Sequence, residues 1–436
     1  MSTIYKPNKR LSRRDFLKIA AAGTAGVALA NFTAGCAPKE VEKAKINVLV
    51  PAAPDPAPPG VAKFSEEAFA AWQEENNVEV VYEDPPWPQL HDKMAANFAS
   101  GQYVHDIMYN CGWVPEFADY LTDFVGDLPA DLIADLPESS FSTLTWGGKR
   151  LGVIFTLSLL TLFYNTEHLE NAGIKEPPKT WDELLGVAKE LTGGDQYGWV
   201  LNYGAPEGIG GVASYWMCFL QQAGGSFYDA SGNPSFNNDA GVDALQVMID
   251  LMEYTDPGSI SYVGINDATN VYASGQASMM MNWPFMLSAA NDPEASNIVG
   301  KVGTAILPAG PAGSASIDGT DAYTIAKDSP NPELARKLIE FYLDKEVQKR
   351  QVIDTGWLPI RLSVLNDPEV QAAAPNAAVI LEQAKYPYDS YVTPDYNEVT
   401  NAVGVEIQKA LAGSQTAAET IQNCHDQVTE IIKKRA

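Results

Sequence analysis

The chain has 436 residues, of which 55 are acidic and 29 basic, giving a formal net charge of −26. Hydrophobic residues make up 46% and charged residues 19%, an ordinary globular balance with material for two lobes rather than one small core. The acidic excess argues against nucleic acid, an anionic membrane surface and a strongly anionic ligand as partners.

At the start of the chain, Ser12-Arg13-Arg14-Asp15-Phe16-Leu17-Lys18 reads as a twin-arginine export signal, with Arg13 and Arg14 as its defining pair. The apolar run from Ile19 to Phe32 is too short to span a bilayer, so residues 1–35 are predicted to be a removable signal peptide. Cys36, preceded by Thr33-Ala34-Gly35, resembles the lipidated cysteine of a bacterial lipoprotein, although Thr33 stands where that motif usually has leucine. Acyl chains at Cys36 would hold a soluble body to the outer face of a membrane; an ordinary cleavage site is the alternative. Residues 36–45 are polar and charged and read as a tether.

Ordered structure is predicted to begin with a buried strand over Ile46–Val50. A Pro-rich loop follows, then a helix with Phe64, Ala68, Phe69 and Trp72 on one face, and strands at Val78–Tyr82 and Ile107–Tyr109. Helices alternating with these strands predict a parallel sheet covered on both faces. Thr180 and Glu183 have the spacing of a capping box, which starts a helix that Gly193-Gly194 ends. Asn331-Pro332-Glu333 starts another, with proline in the first turn. The last helix, roughly 417–434, ends in Lys433-Lys434-Arg435, which suits the negative end of its dipole. Cys111, Cys218 and Cys424 are odd in number and lack metal or redox spacing, so buried thiols are expected.

The run Gly147-Gly148-Lys149-Arg150-Leu151-Gly152-Val153, then Leu162-Phe163-Tyr164-Asn165, is followed by Pro177-Pro178-Lys179-Thr180-Trp181-Asp182-Glu183-Leu184. Later come Phe219-Leu220-Gln221-Gln222-Ala223-Gly224-Gly225, Ala273-Ser274-Gly275-Gln276-Ala277-Ser278-Met279, Leu307-Pro308-Ala309-Gly310 and Gly356-Trp357-Leu358-Pro359. In this order the motifs resemble family 1 of the extracellular solute-binding proteins, the maltose-binding-protein-like receptors of ABC importers. The resemblance implies an α/β, two-lobed periplasmic-binding-protein-like (type II) fold with a ligand cleft between the lobes. It also implies three crossings, placing residues 46–152 with 304–356 in one lobe and 153–303 with 357–436 in the other. The implied protein is an extracytoplasmic, lipid-anchored monomer that takes a small-molecule ligand, expected to be a sugar. It would pass that ligand to the transmembrane subunits of an ABC permease, with no cofactor, no metal and no catalysis.

A sugar site needs flat aromatic rings for the ring faces and carboxylates or amides for the hydroxyl edges. Trp87, in a Pro-rich loop, and Asn110 and Trp113, after a strand end, are candidates on position. The resemblance adds Tyr215, Trp216, Trp283, Phe285, Trp357 and Tyr396 as cleft aromatics, with core packing the competing role for each. Trp181 reads instead as a packing anchor beside its capping box. Asp106, Asp318 and Asp321 are polar candidates near strand ends. Ser158 stands where maltose-binding relatives carry a ligand-contacting glutamate, which points to a different sugar or register. The alternatives are a receptor for another small solute, such as a polyamine or peptide, or an exported glycoside hydrolase with a pair of carboxyls across the cleft. The four histidines are scattered, and Asp229-Ala230-Ser231-Gly232-Asn233 reads as a turn rather than a calcium loop.

Overall fold

The computed structural model describes residues 43–51, 66–102, 104–204, 211–319, 321–388 and 393–435. Arg13, Arg14, Cys36 and the tether up to residue 42 lie outside them, as do Phe64 and the Pro-rich loop beyond Pro51. Residues 44–436 form one compact unit.

Eleven strands occur among the described residues: β1 (Ala44–Leu49), β2 (Val78–Glu83), β3 (Ile107–Asn110), β4 (Thr145–Trp146), β5 (Lys149–Arg150), β6 (Gly152–Ile154), β7 (Thr161–Asn165), β8 (Tyr197–Trp199), β9 (Ala277–Asn282), β10 (Val302–Ala305) and β11 (Ala322–Ile325). The three amino-terminal strands fall where their short apolar runs predict them. β1 pairs in parallel with both β2 and β3, and the helices Glu66–Glu75 and Trp87–Ser100 supply the crossovers that parallel pairing requires.

The expectation of a wholly parallel sheet fails at the other edge. The order is β2-β1-β3-β11-β6, and β11 runs antiparallel to β3 and to β6. The register explains why. Ala322 lies opposite both Asn110, the last residue of β3, and Ile154, the last of β6. The chain therefore leaves this sheet after β6 and returns into β11 at the same carboxyl edge of β3. Entry without a helical crossover makes β11 antiparallel. Ile46, Val48, Ile107, Val153, Tyr323 and Leu338 are among the buried residues of the core around this sheet.

The second sheet has the order β10-β7-β9-β8. β7 is antiparallel to both neighbours, whereas β8 and β9 are parallel. β9 is buried along its whole length, which explains its unbroken apolar sequence Met279-Met280-Met281. The helix Val212–Gln222 is buried at every position but Gln221 and runs through the core beside this sheet, with Leu245, Val403 and Ile421 in the same cluster. Thr180 Oγ1 accepts from the Glu183 amide at 3.3 Å, as the capping box predicts. Glu183 reaches one residue further back than expected, accepting from the Lys179 amide at 2.6 Å. Pro332 opens the helix Pro332–Tyr342, and the last helix runs Ala417–Arg435. A smaller cluster gathers Leu159, Val352, Leu358, Leu365 and Ile380. The Asp229–Asn233 segment is a turn: Asp229 Oδ1 accepts from Ser231 and Asn233 amides, and Gly232 takes φ +79°.

Candidate functional site

Three chain segments join or flank the two sheets, and backbone bonds lace them into a ribbon. Residues 155–160 run from β6 to β7, while Asp318 and Gly319 come shortly before β11 and Asp321 immediately before it. The Phe155 amide donates to the Asp321 carbonyl at 3.0 Å, and the Gly319 amide donates to the Ser158 carbonyl at 2.7 Å. An isolated bridge pairs Leu159 with Asp318. On the opposite edge, Thr156 bridges Pro359, its hydroxyl donates to the Leu358 carbonyl at 2.5 Å, and the Leu157 amide donates to the same carbonyl. The middle segment is thus held on both sides.

A polar cluster sits on this ribbon. Asp321 is buried, and the Tyr109 hydroxyl donates to its Oδ1. Burial pushes the Asp321 carboxyl up to about 7; the hydroxyls of Tyr109 and Ser158 oppose that shift, while the charge of nearby Asp318 adds to it. Burial and the Asp321 charge also hold the Tyr109 phenol well above its ordinary range. Asn110 is fully enclosed one strand away. Its Oδ1 accepts from the Trp113 amide at 3.1 Å, while Nδ2 finds no hydrogen-bond partner among the described residues. A buried donor left in that state is costly unless something accepts from it.

Ser158 and Asp321 are therefore brought to one place, with Asn110 on the adjacent strand β3, where its side chain turns to the opposite face from that of Tyr109. Phe285 and Trp357 form a second pair, both half-buried, with near-parallel rings 22° apart and centroids separated by 6.1 Å. Trp283 is nearly enclosed, its amide held by Asn282 Oδ1 at 2.8 Å. The remaining candidates are sequestered. Trp113 is buried, with its indole donating to Asn397 Oδ1 at 3.0 Å and its ring edge-on to His91. Tyr215 is buried and hydrogen-bonded to Asn202. Trp216 is fully buried, donates to the Gly241 carbonyl at 3.2 Å and packs edge-on against Phe236. Tyr396 is buried beside Gly112.

Trp87 is not in a loop: it is the first residue of the helix Trp87–Ser100, where Pro88 occupies a first-turn position that tolerates proline. Its side chain lies outside the described residues. Asp106 precedes β3, at the opposite end from the ribbon, and is structural: it accepts from the Asn47 amide at 2.8 Å and the Ser329 hydroxyl at 2.5 Å. Trp181 is the expected anchor, with its indole donating to Gln222 Oε1 at 2.7 Å and its ring against Gly310. Tyr109 was invisible as a site residue in the sequence, where it reads as a strand core residue.

Comparison with known proteins decides the family. The profile described as Bacterial extracellular solute-binding protein matches residues 55–349. The chain belongs to this family. A twin-arginine translocation pathway signal sequence matches residues 10–30, so this solute-binding protein is addressed for export. It is similar to the maltose-bound structure of T. maritima MalE3, with 28% identity, a TM-score of 0.80, and coverage of 89% of this chain and 100% of that one. A solute-binding protein from Thermotoga lettingae TMO bound with alpha-D-tagatose aligns at 25% identity and a TM-score of 0.79, over 89% and 100% of the two chains. A probable ABC transporter-binding protein of Deinococcus radiodurans is 27% identical over 76% of this chain and 81% of its own length. The solute-binding protein thus has the two-lobed α/β fold of these receptors and the role of an ABC transporter's binding component.

Proposed function

We propose that this solute-binding protein captures a carbohydrate between its lobes and hands it, chemically unchanged, to an ABC permease. The observation that carries the sugar assignment is its likeness along the whole described body to a maltose-bound receptor. The tagatose-bound neighbour supports the same reading. In this reading the lobes divide at the ribbon: residues 44–154 with 322–343 on one side, and 161–317 with 396–435 on the other, so that 304–317, which the resemblance implied for the first lobe, go with the second, where β10 pairs with β7. The Phe285–Trp357 pair offers apolar faces for a sugar ring, with Trp283 beside it in sequence. Asp321, Ser158 and the open donor of Asn110 offer edge contacts for hydroxyls. Ligand contacts made only in the closed arrangement would drive the lobes together, and the permease would read the closed shape. We further propose that the exported protein is a monomer tethered through acylated Cys36.

Thermal shift and tryptophan fluorescence of the protein against maltose, maltotriose, arabinose oligosaccharides, tagatose, ribitol, mannitol and polyamines test this. A saccharide or polyol that raises the melting temperature in a dose-dependent manner, and is recovered intact, is the expected result. A response to polyamines alone would overturn the sugar assignment, and recovery of a cleaved saccharide would make the protein a hydrolase.

A further inference from the structure

We infer that the amino edge of the first sheet is a membrane-resting face, on which a patch around Val104 and Tyr120 lies against neutral phospholipid headgroups beside the tether. The inference rests on the tether through acylated Cys36 proposed above, and not on the sugar assignment. Eight positions separate Cys36 from Ala44, where β1 begins. Fully extended, that length spans about 27 Å, and as a flexible chain roughly 16 Å. The part of the body around the start of β1 is therefore held closest to the lipid. β1 runs parallel to β3, and the Asp106 amide donates to the Asn47 carbonyl at 2.8 Å, so the segment leading into β3 lies alongside the first half of β1. β11 runs the other way and ends at the same edge. There the Ala326 amide donates to the Asp106 carbonyl at 3.0 Å, and the Lys327 amide to the Tyr120 carbonyl at 2.8 Å.

These contacts gather apolar side chains that the fold leaves uncovered. Val104 is 45% exposed and Tyr120 42%. The Tyr120 ring stacks on half-buried Phe98, with centroids 4.7 Å and planes 16° apart. Phe98, Val104, Met108 and Tyr120, together with Gly101, line one cavity of about 100 Å³. A headgroup layer suits such a patch, because it takes the apolar ring and side chain out of water and leaves the phenol hydroxyl wet. Charges of both signs flank it: Lys45 pairs with Glu79 at 3.2 Å, and Asp328 follows Lys327. With neither sign in excess there, the fit is to neutral lipid rather than to a charged surface. The posture also orients the site. The six residues of β1 rise about 20 Å, and the ribbon carrying Asp321 meets the sheet at its opposite, carboxyl edge. A body resting on its amino edge turns that ribbon away from the bilayer, towards the compartment from which solute arrives.

Hydrogen–deuterium exchange tests this on the processed chain from Cys36 onward, coupled through that thiol to a maleimide-bearing lipid in phosphatidylcholine vesicles. The three other thiols are buried and stay unmodified. The same chain capped with N-ethylmaleimide, in the absence of vesicles, is the reference. Coupling is expected to reduce deuterium uptake in residues 98–102 and 118–122, and to leave residues 286–296 of the second lobe unchanged. Val104→Ser combined with Tyr120→Ser should lose that protection while keeping the parent's circular-dichroism spectrum; should the pair fail to fold, Tyr120→Ser alone decides. Equal uptake on and off the vesicle, or protection that survives in the folded variant, would overturn the inference. Protection of the capped reference that grows with protein concentration would also overturn it, by giving the patch to a second copy of the chain. Mass spectrometry of the exported protein reads the tether itself: an unacylated Cys36 would overturn that reading, and with it the posture in the cell, whatever the vesicles show.

Discussion

Asp321 is an acid held where water would otherwise keep it charged. Its carboxyl moves from an ordinary value of 3.8 up to about 7 on folding, chiefly through burial. In that window the folded protein binds a proton that the unfolded chain has released. Stability is therefore full below the lower value, declines as the pH rises between the two, and levels off above about 7. Asp321→Asn keeps an acceptor for the Tyr109 hydroxyl and cannot ionise. Urea unfolding across this range should show a flatter pH profile for the variant, with a gain in stability at the alkaline end. An identical slope in both proteins would assign the titration elsewhere.

At the scale of elements, two tryptophans separate packing from recognition. Trp216 stands in a helix enclosed by the second sheet and its neighbours, and Trp357 is half-buried just past the C-terminus of the helix Lys345–Thr355. Trp216→Ala should cost roughly 3–5 kcal/mol in stability and leave the order of ligand preference alone. Trp357→Ala should cost little stability but weaken saccharide binding by about tenfold or more, as loss of an aromatic anchor does. Calorimetric titration alongside chemical denaturation checks both; the opposite pattern would exchange their roles. The elements themselves were legible because their signals are local: a threonine three residues before a glutamate, a proline in a first turn, a short apolar run. The antiparallel course of β11 was not, since it depends on where the chain re-enters after a long excursion. The sealed state of Trp216 was hidden for a related reason: tryptophan in a helix reads the same whether a cleft or a core lies beside it.

At the scale of the whole molecule, a two-lobed receptor hinged on a laced ribbon should become more compact when it is occupied. Small-angle scattering should record a smaller radius of gyration on adding the saccharide that stabilises the protein. The melting temperature should rise with it, by an increment that grows with the logarithm of concentration once the site is saturated. A thermal shift with no contraction would mean that the ligand binds to a body already closed. Cys111, Cys218 and Cys424 are all free and enclosed, and burial raises each thiol's pKa. None of this body's packing waits for an oxidant, so the polypeptide can mature fully among the reducing thiols of the cytoplasm and then pass into an oxidising compartment without its cysteines reacting. Bacterial cytosol is accordingly a sufficient place for the described body to fold.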